Sequence, residues 1–442
     1  MKLKVLIAAF LAILPASVPF VPGCAAQDST AAVSEGPACV HPELGKSFSA
    51  GGIKITLSTR KQNYNWRETA TRDKDIHSPK SVNIHPSGEK YYVNSLEGGT
   101  TVVFDYATGE KTAVIRHTFG AGSDSLWARP SGYFNFAQDY ADSLSFTGKP
   151  VESTFTHGGR YLWVPYYRRS FDLNAQEPSA VSVIDTQKDS IIRLFETGPL
   201  PKMIAVSPND SLLAITHWGD NTVGLMDVSS DEPSDWHYVG CYTVGRRLKL
   251  NFPRDTKVDR DVNSGYCLRG TVFTPDNRYL LVGCMGGGGG IAVIDLQSGK
   301  YLGRMLGAMA NLRHLVIDRG WLYASINKYG YVQRIRLDDF LAALETIDKE
   351  KATVTGWENC KVPAGARTIV ISPDGKYVFA ACNYSSCISI VSTDTMKLIG
   401  QIQADSYPVG LDISQDGTKL ISTSQARGAG GNCVDIFTIE YK

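Results

Sequence analysis

A phrase of two short apolar strands joined by a tight polar turn recurs seven times along this 442-residue chain, and no other feature restricts its fold as much. The clearest copy starts at Arg367 and reads Thr-Ile-Val-Ile-Ser-Pro-Asp-Gly-Lys-Tyr-Val-Phe-Ala-Ala up to Cys382. The same turn position recurs at His85-Pro86-Ser87-Gly88, Thr156-His157-Gly158-Gly159, Ser207-Pro208-Asn209-Asp210, Thr274-Pro275-Asp276-Asn277, Asp318-Arg319-Gly320 and Ser414-Gln415-Asp416-Gly417. Proline presets the backbone for such a turn, and glycine or asparagine accepts its left-handed residue. A third strand follows in most copies, as in Val102–Asp105, Val181–Asp185, Val223–Asp227 and Ile291–Asp295, and then a fourth. Short alternating strands in repeated units bury their faces only by stacking on one another. The expected fold is all-β, a seven-bladed β-propeller of four-stranded antiparallel blades. The last copy stops after its third strand, Val434 to Ile439, whereas Ile53–Ser58 alternates correctly and belongs to no copy. This N-terminal strand is therefore expected to complete the last blade and close the ring, which removes exposed sheet edges.

The ends and insertions divide the chain further. Lys2 and Lys4 precede an apolar run from Val5 to Leu14, so residues 1–26 read as a signal peptide. Two processing sites fit: a lipobox, Val21-Pro22-Gly23-Cys24, with Cys24 lipidated, or cleavage after Ala26. Residues 27–50 read as a flexible tether and 51–442 as the propeller. An exported protein is expected, either an outer-membrane lipoprotein or periplasmic, touching membrane only through the lipid. Export permits disulfides. Cys241 and Cys267 bracket an insertion and Cys382 and Cys387 flank a hairpin; either pair can bridge or remain as buried thiols. Neither a haem-attachment motif nor a zinc-ligand spacing occurs, so no cofactor or metal is expected. The segment from Asp338 to Ile347 has the spacing of a short amphipathic helix with an Asp cap, a plug or a brace.

The Tyr91-Tyr92-Val93-Asn94 phrase, the Pro-Asp-Gly turns and the Val-Ile-Asp strands together resemble the YVTN/YncE-like β-propeller family over about residues 51–442. The resemblance implies a monomeric, exported bacterial propeller whose repeat is structural. Similar propellers serve as cobalamin-capturing surface lipoproteins, lactonases or haem enzymes, and the fold by itself selects none of these.

Aligning the copies on the turn places Lys80, Val151, Lys202, Arg269, Arg313, Arg367 and Val409 at one end of the innermost strands. Five of these seven are basic in a chain whose formal net charge is only +1. The overall charge therefore gives no reason to expect nucleic acid, whereas a local ring of cations focuses a field onto an anion. The loops on the same face contribute Tyr166, Tyr167, Arg169, His217, Trp218, Tyr329, Asn383, Tyr384 and Arg427, a mixture of flat rings and oriented donors suited to a ligand wall. The alternative for each is structural: pairing of the cations with Glu97, Glu152 or Asp220, and packing of His217 and Trp218 inside a blade. Gly286–Gly290 lacks the Gly-Lys-Ser/Thr of a phosphate loop and fits close approach to a ligand or to a neighbouring loop. Long insertions at 116–149, 168–178 and 241–266 are expected on this basic face. The leading expectation is a non-catalytic binding protein for a small anionic or cobalamin-like ligand, or for an envelope protein partner. A lactonase-like hydrolase using His217, His314 and nearby acids, and a pure envelope scaffold, are the alternatives.

Overall fold

The computed structural model describes residues 39–40, 43–63, 70–134, 145–425 and 430–442. Seven sheets, each with a four-stranded antiparallel core, follow one another in chain order. We name the strands of each blade A to D from the inside outwards. The A strands are Pro79–Ile84, Thr154–Thr156, Pro201–Val206, Leu268–Phe273, Leu312–Asp318, Ala366–Ile371 and Pro408–Ile413. Successive A strands lie against each other and line the axis, and the last meets the first.

The repeated turn phrase has a local cause. Ser372 donates its hydroxyl to Asp374 (2.6 Å) and accepts the Tyr377 amide (3.0 Å), while Asp374 accepts the Lys376 amide (3.1 Å). Thr274 with Asp276 and Ser414 with Asp416 repeat this lock. Gly375 and Gly417 sit at φ +76° and +72°, a region that costs a residue with a Cβ but not glycine.

The N-terminal strand closes the ring as the pattern requires. Ile53–Gln62 pairs antiparallel with Cys433–Tyr441 as strand D of blade 7, from Ile53 opposite Tyr441 to Gln62 opposite Cys433. Its Ile53, Ile55 and Leu57 enter the apolar core between blades 6 and 7 beside Phe379, Ile390 and Phe437. Arg60 then forms a two-point ion pair with Asp435 (2.6 and 3.0 Å), both nearly sealed from solvent at 4% and 1% exposure.

Extra segments cover blade edges. Ser47–Ala50 adds a strand outside Ile53–Gln62, so the sheet begins within the segment read as tether. Cys39–Val40 pairs in parallel with Gln401–Ile402 of blade 6. The helix expected from Asp338 is the short Leu337–Ala342, continued by a 3-10 turn, Ala343–Thr346. Asp338 lies in its first turn rather than capping it, and no side chain caps the helix. Leu337 and Phe340 are buried between blades 4 and 5, and Lys351–Thr353 then pairs with strand D of blade 4, so this insertion braces two blades. Cys241, Cys267, Cys382 and Cys387 are free thiols, although Cys382 and Cys387 face each other across their hairpin. Cys24 lies outside the described residues. No helix among the described residues is long and apolar enough to cross a membrane.

Breaking a buried ion pair from one side leaves an uncompensated charge, which costs about 3–5 kcal/mol. Asp435→Ala is therefore expected to lower unfolding stability by roughly that amount, measured by urea denaturation, while Glu440→Ala, which breaks an exposed pair with Lys54 on the same strands, changes it by less than about 1 kcal/mol.

Candidate functional site

Six of the seven A strands lose ladder register at the position aligned from sequence. The irregularity lies between Pro79 and Ser81, Pro201 and Met203, Leu268 and Thr271, Leu312 and His314, Ala366 and Ile369, and Pro408 and Gly410. Lys80, Lys202, Arg269, Arg313, Arg367 and Val409 are thus bulged residues. A bulge frees its residue from the ladder and re-aims the side chain. Carbonyls at this level are taken up by the preceding blade: Ser325 donates to that of Arg367 (2.5 Å) and Thr368 to that of Val409 (2.6 Å), and in blade 2, whose A strand carries no bulge, Val151 still accepts from Ser81 (2.6 Å). One device therefore both joins neighbouring blades and turns the ring residues together.

The cations converge as expected, but deeper than a surface mouth: Lys80, Arg269, Arg313 and Arg367 are 2–7% exposed. Glu152 from blade 2 is their shared counterion. One of its oxygens accepts from Lys80 Nζ (3.0 Å) and Arg269 Nη2 (3.3 Å). Burial alone would raise the Glu152 carboxyl, yet Lys80, Arg269 and Arg367 hold it below its ordinary value. Burial, compounded by the neighbouring cations, pushes Lys80, Lys202 and Arg269 well below their ordinary values, and Arg313 down to about 10. Asp261, carried in by the 241–266 insertion, partly offsets this at Lys202, Arg269 and Arg313. Three buried guanidinium donors, Arg269 Nη1, Arg313 Nε and Arg367 Nε, make no hydrogen bond. Leaving such a donor unsatisfied costs about 1–3 kcal/mol, more when it is charged.

Above the ring lies a cavity of about 270 Å³. Six of its lining residues are basic, Lys80, Lys149, Arg168, Lys202, Lys257 and Arg367, against one acid, Glu97, which is paired with Lys149 (3.0 Å). Two insertions interlock beside it. Asn174 donates to the Pro253 and Thr256 carbonyls and accepts the Val258 amide, and Gln176 exchanges hydrogen bonds with Phe252. Arg260 ties both to blade 3 through the carbonyls of Asn174, Ala175 and Gly219.

The wall residues divide. Tyr167 lines the cavity with Lys202 Nζ 4.0 Å from its ring centroid. Trp218 is buried behind the ring, its indole donating to the Arg260 carbonyl (3.0 Å), with Lys202, Arg269 and Arg313 each 5.5–5.6 Å from its centroid. Tyr384 is exposed and stands near Tyr407, and Tyr329 is exposed elsewhere on the rim. Four expected walls are instead interior. Tyr166 is fully buried and donates to His117 Nδ1 (2.9 Å). Arg169 is fully buried against Phe171 and Phe146. Asn383 is buried and accepts from Asn327 (3.1 Å). His217 accepts the Gly198 amide at Nε2 (3.1 Å) and meets Thr222 at Nδ1 (2.8 Å), and Thr222 donates to Asp220 (2.7 Å). Strand B of blade 2 runs to Arg169 and that of blade 3 to His217, so Tyr166, Arg169 and His217 lie in strands covered by their neighbours rather than on loops. Arg427 lies outside the described residues. Gly286–Gly290 packs on the insertion: a Cβ at Gly286 would lie 2.5 Å from the Gly265 carbonyl. Lys149, Arg168 and Lys257 had no repeat register to reveal them; only their place in long insertions marked them.

No known protein-family profile and no curated protein matches the chain. Solved structures do resemble it. One is Kuenenia stuttgartiensis hydrazine synthase, at 16% identity and a TM-score of 0.56 over 83% of this chain and 96% of that one. Another is the Cps50 (Swd1) β-propeller domain of Myceliophteria thermophila, at 12% identity and a TM-score of 0.56 over 82% and 96%. These likenesses define the class of protein as a β-propeller scaffold, and at such identities they carry the fold alone. Among the described residues no group of three or more His, Cys, Asp or Glu side chains is placed to hold a metal ion.

Burial lowers His117 and His217 to about 3, with Arg247 adding to the effect at His217. A depressed histidine stays neutral in the fold while its unfolded counterpart protonates below about pH 6.5, so stability is present at pH 7 and lost as pH falls. Each is expected to withdraw roughly 2 kcal/mol between pH 7 and 5. In urea titrations at the two pH values, the His117→Asn/His217→Asn double variant should lose much less stability than wild type over this interval; an equal loss would refute the assignment.

Proposed function

We propose that this chain is a non-catalytic binding protein that captures a small multivalent anion at the cationic end of its propeller axis. The observation that carries this reading is the set of unsatisfied, buried guanidinium donors on Arg269, Arg313 and Arg367, near which Glu152 pairs with Arg269 and acts on Arg367, while the acid offsetting Arg313 is Asp261. Clustered like charges in a low-dielectric site destabilise a fold unless something compensates them. A phosphate or carboxylate supplies both the charge and the acceptors, and arginine binds either in two-point fashion. A cavity of about 270 Å³ suits a ligand of sugar-acid or tricarboxylate size. A corrinoid is far larger and would sit on the rim beside Tyr384, not in the cavity. The targeting segment read at residues 1–26 puts this capture outside the cytoplasm, and lipidation at Cys24 would hold it at the envelope.

Thermal unfolding with phosphate, citrate, a uronic acid and cobalamin separates these cases, since a ligand specific to the native state raises Tm by mass action. At low ionic strength a di- or trianion should raise Tm, and added salt should weaken the shift. Arg313→Met should unfold at a higher temperature than wild type without anion, because it removes an uncompensated buried charge, and should lose most of the anion-dependent shift. A lower Tm for Arg313→Met, with no shift from any anion in wild type, would make the ring a structural feature only.

A further inference from the structure

Lys202 differs from the other ring lysine in what it touches. Lys80 is bound to Glu152 at 3.0 Å, whereas Lys202 Nζ has no acidic partner among the described residues and lies over two ring faces, Tyr167 at 4.0 Å and Trp218 at 5.5 Å. It lines the cavity, is only partly enclosed and is therefore reachable. The charges facing it are Arg269 from blade 4, Arg313 from blade 5 and Arg367 from blade 6, opposed by Asp261 of the insertion. An amine drawn out of water among fixed guanidinium charges is favoured in its neutral, nucleophilic form, since the arginines cannot give up their charge to relieve the crowding.

We infer that Lys202 is a reactive amine that condenses reversibly with the carbonyl group of an anionic aldehyde or ketone held in the cationic cavity. The Nζ lone pair attacks the carbonyl carbon and the C=O π pair moves to oxygen. The resulting carbinolamine loses that oxygen with the two amine protons as water. The C–O bond is replaced by C=N, with no change of oxidation state and no co-reactant. Burial and the three arginines favour the free amine more than in an ordinary lysine. Choosing an anionic carbonyl as partner rests on the anion-capture reading above; the nucleophilicity of the amine does not.

The test uses the full chain with pyridoxal 5′-phosphate, an aldehyde that carries a phosphate, followed by cyanoborohydride reduction and peptide mass spectrometry. At pH 7 the reduced adduct should concentrate on Lys202, roughly tenfold or more above the exposed Lys188 and Lys376. Inorganic phosphate should protect it. Lys202→Arg should remove the adduct. Because the adduct is mapped on wild-type protein, the result does not depend on how that variant folds. Adducts spread over exposed lysines with none at Lys202 would overturn the inference, and a persisting phosphate shift would then leave anion capture standing. Equal labelling of Lys202 by pyridoxal and by its phosphate, with no protection, would keep the reactive amine and remove the anion reading.

Discussion

The structure depends on a backbone irregularity repeated around an axis. In six of the seven inner strands one residue at the same level escapes the sheet ladder, and its carbonyl is often claimed by a hydroxyl of the preceding blade. A propeller must pack its inner strands tightly, and a bulge bends and twists a strand where space is shortest. The device is indifferent to the side chain it presents, since Val409 occupies it as well as Arg367 does. What this chain adds is charge: five of the presented side chains are basic. Fold and site thus share one geometry while answering to different residues of the same strand.

Charges at the axis are left less compensated than those at the ring closure. Ring closure shows how the chain treats a buried charge for stability alone, since Arg60 meets Asp435 through two guanidinium nitrogens, one on each carboxylate oxygen. At the channel, Glu152 divides one oxygen between Lys80 and Arg269, and donors on three arginines remain unused. The interlocked insertions around Asn174 and Arg260 add Arg168 and Lys257 to the cavity lining, and the Asp261 they carry in offsets the ring only in part. Stabilisation by closure and destabilisation at the axis coexist because the large inter-blade cores carry the fold.

Much of this was legible in the sequence, for local reasons. The turn phrase is a hydrogen-bonded unit within a few residues, so each copy announces itself, and alignment on it fixed the register of Lys80, Lys202, Arg269, Arg313 and Arg367. The missing fourth strand of the last copy pointed to Ile53–Ser58, which the structure extends to Gln62, because an edge left open is a liability. The walls were harder. Tyr166, Arg169 and His217 resemble loop residues only if strand B ends early, and their burial depends on one or two further residues of sheet length, covered on both faces. The mutual grip of 168–178 and 241–266 joins residues about 80 positions apart, as Asn174 to Pro253, and no local pattern encodes it. The tether boundary failed for a similar reason, since Ser47–Ala50 gains its order from the strand it pairs with.

The central claim is that the bulged arginines converge on an anion. The most direct measurement is a crystal structure of the protein grown with selenate, with data collected at the selenium absorption edge. The account predicts an anomalous peak on the channel axis, within hydrogen-bonding distance of Arg313 Nε and Arg367 Nε and close to Arg269. An axis with no peak, and with all three guanidinium groups paired to protein carboxylates or carbonyls, would contradict it.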